Sequence, residues 1–245
     1  MRCYAVIGSP VAHSRSPEIY RPLFEKHGID ADFIRILVEP HELPYIRSIA
    51  QPLSGFAVTM PHKRAIIPYL DGLSAEAEAC GAVNIVERRG GLLIGHNTDG
   101  GGLVDALRAI GADPDGKTAA ILGRGGAALA AAHALSEAGC SPTLFVREKR
   151  GESPFPEMTL GGLGGRYDLF INASPLGMEG GESFADLGFL RSMRPAAVLD
   201  MVYLAGGRTA LTAEAERLGI PAADGSLMLR KQAERAFLIW TGLKA

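Results

Sequence analysis

Residues 118–128, TAAILGRGGAA, join an apolar run to a glycine-rich turn and a run of small residues. The apolar run before Gly123 is typical of a buried strand, and the small residues after the turn are typical of a helix. The spacing fits G-x-G-x-x-A, in which Gly123 permits a tight turn, Gly125 lets a pyrophosphate approach the backbone, and Ala128 lets the helix pack closely on the sheet. The alternative is a tight turn without a ligand, but the strand before it and the helix after it favour dinucleotide binding.

Strand-like and helix-like segments alternate along the whole chain. Short apolar runs predict strands at 3–8, 32–38, 55–59, 118–123, 142–146, 167–174 and 196–203, and Gly90-Gly91 predicts a hairpin over 82–95. Helical patterns cover 16–28, 41–50, 99–110, 125–139, 209–219 and 226–240. This alternation indicates an α/β fold with mainly parallel sheets. Because the strand–helix pattern starts again after a turn, we expect a domain boundary near residue 100.

Composition and charge exclude several classes of protein. The chain has 245 residues, 47% hydrophobic and 21% charged, with a formal net charge of -2, so we expect a globular protein without a nucleic-acid partner. No apolar run approaches the roughly 18 residues that span a bilayer, and the first ten residues lack a signal-peptide pattern. Cys3, Cys80 and Cys140 form no C-x-x-C pair, and the histidines lack the spacing of a metal site. We therefore expect a cytoplasmic enzyme or binding protein that holds no metal.

The charged run after the strand at 142–146 bears on the choice of cofactor. At this position of a dinucleotide-binding fold, a carboxylate selects the ribose 2′-hydroxyl of NAD and a cation selects the 2′-phosphate of NADP. Arg147, Lys149 and Arg150 surround Glu148 here. The three cations favour NADP, with Arg147 and Arg150 as cofactor ligands, and Glu148 leaves NAD as the alternative. Alternatively, these residues form a solvated charged turn that does not contact a cofactor.

Two pairs of residues are candidates for substrate chemistry. Ser14 and Ser16 stand where a loop enters the first predicted helix, so they suit a carboxylate ligand, although Ser16 also suits a simple N-cap with Pro17 at the first helical position. Lys63 follows a predicted strand, and Asp99 begins a predicted helix. A lysine beside a carboxylate can donate or accept the proton at a carbonyl oxygen during hydride transfer. The alternatives are a surface lysine and a first-turn carboxylate that stabilises its helix.

Eight motifs follow one another along the chain in the order seen in shikimate dehydrogenases. They are GSPVAHSRSP, VTMPHK, GAVNIV, GHNTDGGG, GRGGAA, INASPLGM, LDMVY and DGSLMLRKQAERAF. On these motifs the chain resembles the shikimate dehydrogenase family from about residue 7 to residue 241. The resemblance implies a substrate-binding and catalytic domain at 1–100 and a Rossmann NADP-binding domain at 101–225. It also implies that a C-terminal helix within 226–245 returns to the first domain.

The resemblance further implies an activity and a set of site residues. The family reversibly reduces 3-dehydroshikimate to shikimate with NADPH, an oxidoreductase step in the biosynthesis of chorismate and the aromatic amino acids, and we expect a monomer or homodimer. Lys63 resembles the catalytic acid/base, and Asp99 resembles its partner. Substrate contacts match Ser14, Ser16, Thr59, Asn84, Tyr203 and Gln232. Cofactor contacts match Gly123, Arg124, Gly125, Gly126 and Ala127 at the phosphates, Arg147 at the ribose, and Met201 and Gly225 near the nicotinamide.

The chain departs from the family pattern at several positions. The family usually carries Asn at the position of Ala57, His-Asn at Tyr20 and Arg21, and Ala at Arg124. Ala57 and Glu148 leave open a relative that uses quinate, aminoshikimate or another hydroxylated ring acid, with NAD as its cofactor. A second alternative is a sensor that binds ligand without turnover. The presence of both catalytic residues argues against a sensor.

Overall fold

The computed structural model describes residues 1–149, 151–204 and 206–245. These residues form two compact units. The first unit contains Met1–Thr98 and Gln232–Ala245, and the second contains Asp99–Lys231. Within the described ranges, no helix has both the length and the apolar character that crossing a bilayer requires.

A six-stranded mixed sheet forms the centre of the first unit. Its strands are β1 (Arg2–Gly8), β2 (Ala31–Leu37), β3 (Gly55–Val58), β4 (Gly72–Leu73), β5 (Ile85–Arg89) and β6 (Leu92–His96). Its helices are α1 (Ser16–Lys26), α2 (Ile46–Ile49), α3 (His62–Ala65) and α4 (Ala75–Cys80), with 3₁₀ turns at Pro40–Tyr45 and Ile67–Tyr69. The antiparallel pairing of β5 with β6 confirms the predicted hairpin.

The strand order of this sheet places several loops at one edge. The order is β2-β1-β3-β5-β6-β4. β1 is parallel to β2 and β3, whereas β5 is antiparallel to β3 and β6. The carboxyl ends of β1, β3 and β6 therefore share an edge with the amino end of β5. Ser14, Thr59, Lys63 and Asn84 belong to the segments that begin or end there.

Aromatic side chains cover one face of the first sheet. Tyr4 stacks on Phe24 with ring centroids 5.0 Å apart, and Tyr20 stacks on Phe33 at 4.6 Å. Trp240 lies 5.1 Å from the rings of both tyrosines. Aromatic pairs at these separations stabilise a core beyond the area that they bury. This packing explains why residues from the end of the chain belong to the first unit.

A six-stranded sheet also forms the centre of the second unit. Its strands are β7 (Thr118–Leu122), β8 (Ser141–Val146), β9 (Glu157–Thr159), β10 (Leu169–Asn172), β11 (Ala197–Asp200) and β12 (Ala222–Ala223). Its helices are α5 (Asp99–Ala109), α6 (Gly126–Glu137), α7 (Phe189–Met193), α8 (Ala210–Arg217) and the first turns of α9 (Gly225–Thr241), with a 3₁₀ turn at Leu160–Gly162. From Gln232 onward, the residues of α9 belong to the first unit.

Every pairing in the second sheet is parallel, in the order β12-β11-β10-β7-β8-β9. β7 and β10 are buried throughout their lengths except for Thr118, as parallel strands covered on both faces are. Ala128 of α6 is fully buried, which lets the helix lie close to the sheet. Ligands bind such sheets at the carboxyl ends of the strands where the strand order reverses, here between β7 and β10.

The two parallel-rich sheets confirm the predicted α/β class. One local prediction is wrong, and a second is confirmed with a different type of helix. Ser16 is not the N-cap of α1, because Arg15 occupies that position and Ser16 is already helical. The N–H of Ser16 instead points at Ser14 Oγ, 3.4 Å away. The helix predicted over 41–50 begins as a 3₁₀ turn that contains Pro44. Proline lacks the N–H that a regular α-helix needs, so α2 is reduced to a single turn.

Candidate active site

The ends of β1 and β3 approach each other closely at the shared edge of the first sheet. A β-carbon on Gly8 would lie 2.4 Å from Thr59 Cγ2, which is closer than side chains tolerate. Thr59 N donates to the carbonyl oxygen of Ile7 at 2.9 Å, and Ser9 N donates to that of Met60 at 3.0 Å. Glycine at position 8 therefore allows Thr59, a predicted substrate ligand, to lie directly against the first strand.

Ser14 and Ser16 form a pair of hydroxyls at the start of α1. Ser14 Oγ donates to Ser16 Oγ at 3.1 Å, and both residues are partly exposed. Arg35 fixes the loop, because its Nε donates to the carbonyl oxygen of Ser14 at 2.8 Å and its Nη2 pairs with Glu18 at 2.5 Å. The structure thus brings together the two hydroxyls that the sequence suggests for a carboxylate.

Lys63 lies on α3, one turn beyond the end of β3. His62, beside it, is buried, and its Nε2 lies 2.6 Å from the carbonyl oxygen of Val38. A carbonyl oxygen only accepts, so Nε2 carries the hydrogen and His62 anchors the turn. The carbonyl oxygen of Lys63 accepts from Val83 N at 2.7 Å. Asp99 is the first residue of α5 in the second unit, and its pairing with Lys63 stays a prediction.

A buried hydrogen-bond network joins three segments of the first unit. Asn84 Nδ2 donates to Thr98 Oγ1 at 3.0 Å and to Gln232 Oε1 at 3.2 Å. Thr98 Oγ1 donates to Gln232 Oε1 at 3.1 Å, and Thr98 N donates to Asn84 Oδ1 at 2.8 Å. All three side chains are at most 9% exposed. Two predicted substrate ligands, Asn84 and Gln232, are therefore held by Thr98, to which the sequence motifs assign no role.

The tight turn predicted at Gly123 is confirmed in the second unit. Gly123 has φ +122, and a β-carbon there would lie 3.0 Å from the carbonyl oxygen of Ala173. Only glycine adopts this conformation readily. A β-carbon on Gly125 or Gly126 would meet no atom within 4 Å, and Ala127 is exposed. The first residues of α6 are thus open to solvent, and the amino end of a helix suits a pyrophosphate.

A cavity of about 730 Å³ lies at the carboxyl ends of β7 and β8. Among the residues that line it are Gly123, Arg124, Arg147, Glu148, Ser174 and Glu182. Arg124 Nε donates to Glu157 Oε1 at 2.5 Å, and its Nη2 donates to the carbonyl oxygen of Glu152 at 3.0 Å. Arg147 forms an ion pair with Glu182. Arg150, the other predicted ribose cation, lies outside the described residues.

Met201, Tyr203 and Gly225 come together at the ends of β11 and β12. A β-carbon on Gly225 would lie 2.3 Å from the carbonyl oxygen of Met201 and 3.3 Å from Tyr203 Cδ1. Gly225 N donates to the carbonyl oxygen of Val202 at 3.0 Å, and Tyr203 is 43% exposed. The same edge of the sheet therefore carries the glycine-rich turn and this cluster. Together they have the backbone cradle, the cations and the open space that a dinucleotide requires.

Asp200, at the end of β11, is a fully buried carboxylate. Its Oδ1 accepts from Asn172 Nδ2 at 2.8 Å and from Val202 N at 3.1 Å. Burial raises the pKa of Asp200, and the charge of Asp224 acts in the same direction. Hydrogen bonds from Thr209, Asn172 and Val202 oppose this shift in pKa without cancelling it. The carboxylate accepts from the backbone directly after Met201, so it fixes the segment that carries this predicted nicotinamide contact.

The described residues contain no group of three or more His, Cys, Asp or Glu side chains arranged to hold a metal ion. Cys3, Cys80 and Cys140 are all thiols rather than disulfides. Burial raises the pKa of Cys140 to about 11, so this thiol is protonated at neutral pH. These thiols supply neither a thiolate nucleophile at Cys140 nor a cross-link to the site.

The chain is similar in sequence to shikimate dehydrogenases. The family model described as the shikimate dehydrogenase substrate binding domain matches residues 6–86. A shikimate dehydrogenase (NADP(+)) of Geobacter sp. (strain M21) is 40% identical over 263 residues, which cover 98% of this chain and 90% of the relative.

Two solved structures are also similar to this chain. The shikimate 5-dehydrogenase from Thermus thermophilus, in complex with NADP(H) and shikimate, gives a TM-score of 0.88 at 31% identity and covers 100% of this chain and 95% of that one. The ligand-free 5-ketofructose reductase of Gluconobacter sp. strain CHM43 gives 0.87 at 28% identity, covering 99% and 94%. The same fold thus carries reductases with different names.

Proposed function

The chain belongs to the shikimate dehydrogenase family, and on that basis we propose that it catalyses the reversible, NADPH-dependent reduction of 3-dehydroshikimate to shikimate. One observation carries the proposal: Ser14, Ser16 and Thr59 occupy the same sheet edge as the network of Asn84 with Gln232. Shikimate presents a carboxylate and three hydroxyls. Short polar side chains held in a fixed geometry suit such a ligand and reject analogues that lack a hydroxyl.

The first unit binds and orients the ring acid. The hydroxyls of Ser14 and Ser16 bind its carboxylate, which they can do because Arg35 holds their loop. Thr59, Asn84 and Gln232 bind the ring hydroxyls from the strand ends, and Tyr203 of the second unit supplies a further hydroxyl contact. The buried network fixes the amide orientations of Asn84 and Gln232 before the ring arrives.

Lys63 moves the proton of the reaction. When bound, NADPH supplies the hydride that adds to the carbonyl carbon of 3-dehydroshikimate. The ammonium of Lys63 donates its proton to the carbonyl oxygen, so that the ketone becomes an alcohol, and the neutral amine takes a proton back in the reverse direction. Asp99 orients the ammonium toward the carbonyl oxygen.

The second unit holds the dinucleotide. The backbone N–H groups around Gly125, Gly126 and Ala127 take the pyrophosphate, and Arg147, with Arg150, takes the ribose 2′-phosphate. Met201 and Gly225 flank the nicotinamide. The division of the chain into a substrate-binding unit and a dinucleotide-binding unit is part of the proposal, and the two compact sheets support it.

Three departures from the family pattern, at Tyr20, Arg21 and Ala57, have a structural explanation in the first unit. Ala57 and Tyr20 belong to the same buried aromatic cluster, in which Tyr20 stacks on Phe33. The cluster thus combines a small side chain at 57 with a large one at 20. Arg21 pairs with Asp32 on the surface at 2.7 Å. These residues therefore stabilise the first unit, and their changes leave the predicted substrate ligands in place.

The second candidate function is the reduction of a related hydroxylated ring acid with NAD. Glu148 favours it, because a carboxylate that lines the cavity beside Arg147 suits a ribose 2′-hydroxyl. The similarity to a 5-ketofructose reductase also favours a wider range of substrates in this fold. We further propose that the protein works in the cytoplasm as a monomer or homodimer, without a nucleic-acid partner. Its reduced cysteines suit a reducing compartment.

Steady-state kinetics test the proposal. The rate of NADPH or NADH formation is measured with shikimate and with quinate, each against NADP⁺ and NAD⁺. We expect the highest kcat/KM for shikimate with NADP⁺. A higher value for quinate with NAD⁺ would establish the second candidate. Binding of shikimate and NADP⁺ without turnover would establish a sensor.

A further inference from the structure

We propose that Glu182 is a specificity-determining residue whose carboxylate competes with the ribose 2′-phosphate of the cofactor for the guanidinium of Arg147. This inference rests on the proposed function, in which the cavity at the ends of β7 and β8 takes the adenosine end of NADP. Glu182 reaches the cavity from the segment between β10 and α7, and the sequence motifs do not point to it. Glu182 thereby lowers the affinity for NADP relative to that for NAD.

Glu182 contacts Arg147, the cation that we expect to select NADP. Arg147 Nη2 donates to Glu182 Oε2, and both side chains line the same cavity. A tight turn presents the glutamate, because Gly177 N donates to the carbonyl oxygen of Glu182 at 2.8 Å. Gly180 within this turn has φ +73, a conformation that favours glycine. The backbone of the turn that carries Glu182 is thus fixed, and the glutamate side chain reaches Arg147 from it.

Of the two arginines in the described part of the cavity wall, Arg147 is the one whose ion pair is exposed to an incoming 2′-phosphate. Arg124 is 31% exposed, and its partner Glu157 is only 6% exposed. Because Arg124 also donates to a backbone oxygen, it is held by two contacts. Both arginines in the described part of the cavity wall are therefore ion-paired, and a phosphate that approaches Arg147 meets a carboxylate already in place.

The two ion pairs differ in how easily they open. Arg147 and Glu182 are each 70% exposed. Exposed pairs contribute little to stability and separate at small cost, so Glu182 weakens 2′-phosphate binding without abolishing it. Repulsion between the carboxylate and the dianionic phosphate adds to the competition. NAD carries an uncharged hydroxyl at this position, so neutralising Glu182 changes its binding much less than that of NADP.

Binding of two small probes isolates this effect from catalysis. The probes are 2′,5′-ADP, which carries the 2′-phosphate, and 5′-AMP, which lacks it, and their dissociation constants are measured by isothermal titration calorimetry on the full chain. In Glu182→Gln we expect 2′,5′-ADP to bind at least threefold more tightly and 5′-AMP to change by less than twofold. The gain should shrink in high salt, because exposed charges are screened.

Glu179→Gln is the matched control, since it removes the same charge from the same turn at an exposed residue. It should leave both dissociation constants unchanged. Equal changes for the two probes in Glu182→Gln, no change, or selectively weaker binding of 2′,5′-ADP would each overturn the inference.

Arg147→Ala separates failure of this inference from failure of the proposed function. If Arg147→Ala weakens 2′,5′-ADP selectively while Glu182→Gln has no effect, the 2′-phosphate site stands and only the role of Glu182 is wrong. If neither variant changes the preference between the two probes, the assignment of this cavity to the 2′-phosphate is wrong, and the inference falls with it.

Discussion

Trp240 Nε1 donates a hydrogen bond to the carbonyl oxygen of Val86 at 3.0 Å, and the indole lies against the backbone of Gly55. A β-carbon on Gly55 would lie 2.6 Å from Trp240 Nε1 and 3.1 Å from the carbonyl oxygen of Val86. The indole is packed against Tyr4 and Tyr20, so it has little room to withdraw. The end of α9 thus packs directly on the central sheet, because the absence of a side chain at Gly55 makes room for the indole.

Gly55→Ala should therefore destabilise the protein. Overpacking a core typically costs about 1–3 kcal/mol, and we expect a loss of that order in the free energy of unfolding measured in urea. Gly161→Ala is the control, because a β-carbon on Gly161 would meet no atom within 4 Å. An unchanged unfolding midpoint in Gly55→Ala would contradict the packing argument.

Lys63→Ala should abolish most turnover and spare substrate binding. General acid–base catalysis contributes about 10²–10⁴-fold, so kcat should fall by that factor, while the dissociation constant for shikimate changes by only a few-fold. Arg64→Ala removes a neighbouring exposed cation from α3 and should leave kcat unchanged. A large loss of affinity with normal kcat would contradict the role of Lys63 as acid and base.

Thr98→Val should raise the KM for shikimate and lower stability. The substitution keeps the shape of the side chain but removes the hydroxyl that accepts from Asn84 and donates to Gln232. Each hydrogen bond that is lost contributes about 0.5–1.5 kcal/mol, and Asn84 Nδ2 keeps its hydrogen bond to Gln232 Oε1. Thr98→Ser retains the hydroxyl and should restore both KM and the free energy of unfolding. If Val and Ser variants behave alike, the network does not orient the substrate ligands.

Asp200→Asn should change how stability depends on pH. The pKa of Asp200 is raised in the folded state, so its burial penalty is absent below the ordinary value of 3.8 and grows as pH rises through the raised value. The melting temperature of the variant relative to wild type should therefore increase with pH across that window. The amide oxygen of the variant can still accept from Asn172 and Val202.

Asp168→Asn should show the opposite pH dependence of its melting temperature relative to wild type. Hydrogen bonds from Thr118 lower the pKa of Asp168, so its stabilisation is present above 3.8 and is lost as pH falls through the lowered value. The variant should lose stability relative to wild type as pH rises through that window. If the relative melting temperatures of both variants change with pH in the same direction, burial does not set the pKa of Asp200.

Local chemistry made much of the fold predictable. The turn at Gly123 requires a positive φ, and the hairpin at Gly90-Gly91 requires the same, so the glycines reveal both. β9 was not predicted, because Glu157–Thr159 has no apolar period and forms a strand only through its pairing with β8. Local sequence patterns predict structure that depends on neighbouring residues, and they do not predict an edge strand that forms only by pairing with another strand.

The candidate site was predictable where a motif exists and not where contacts are long-range. Ser14 and Ser16 are two residues apart, so their pairing follows from spacing. The role of Thr98 depends on Gln232, 134 residues away, and that of Glu182 depends on Arg147, 35 residues away. No local period marks such contacts, and only the folded topology reveals them.

The return of α9 to the first sheet has a consequence for synthesis. Every residue of the second unit, Asp99–Lys231, leaves the ribosome before Gln232 and Trp240 do. The first unit cannot complete its aromatic core or its buried network until those two residues emerge. Domains generally fold as units during synthesis, so the unit that begins second is the one that can finish first. Until then, the newly made amino-terminal segment carries an incompletely covered apolar face, which is a site for aggregation or chaperone binding.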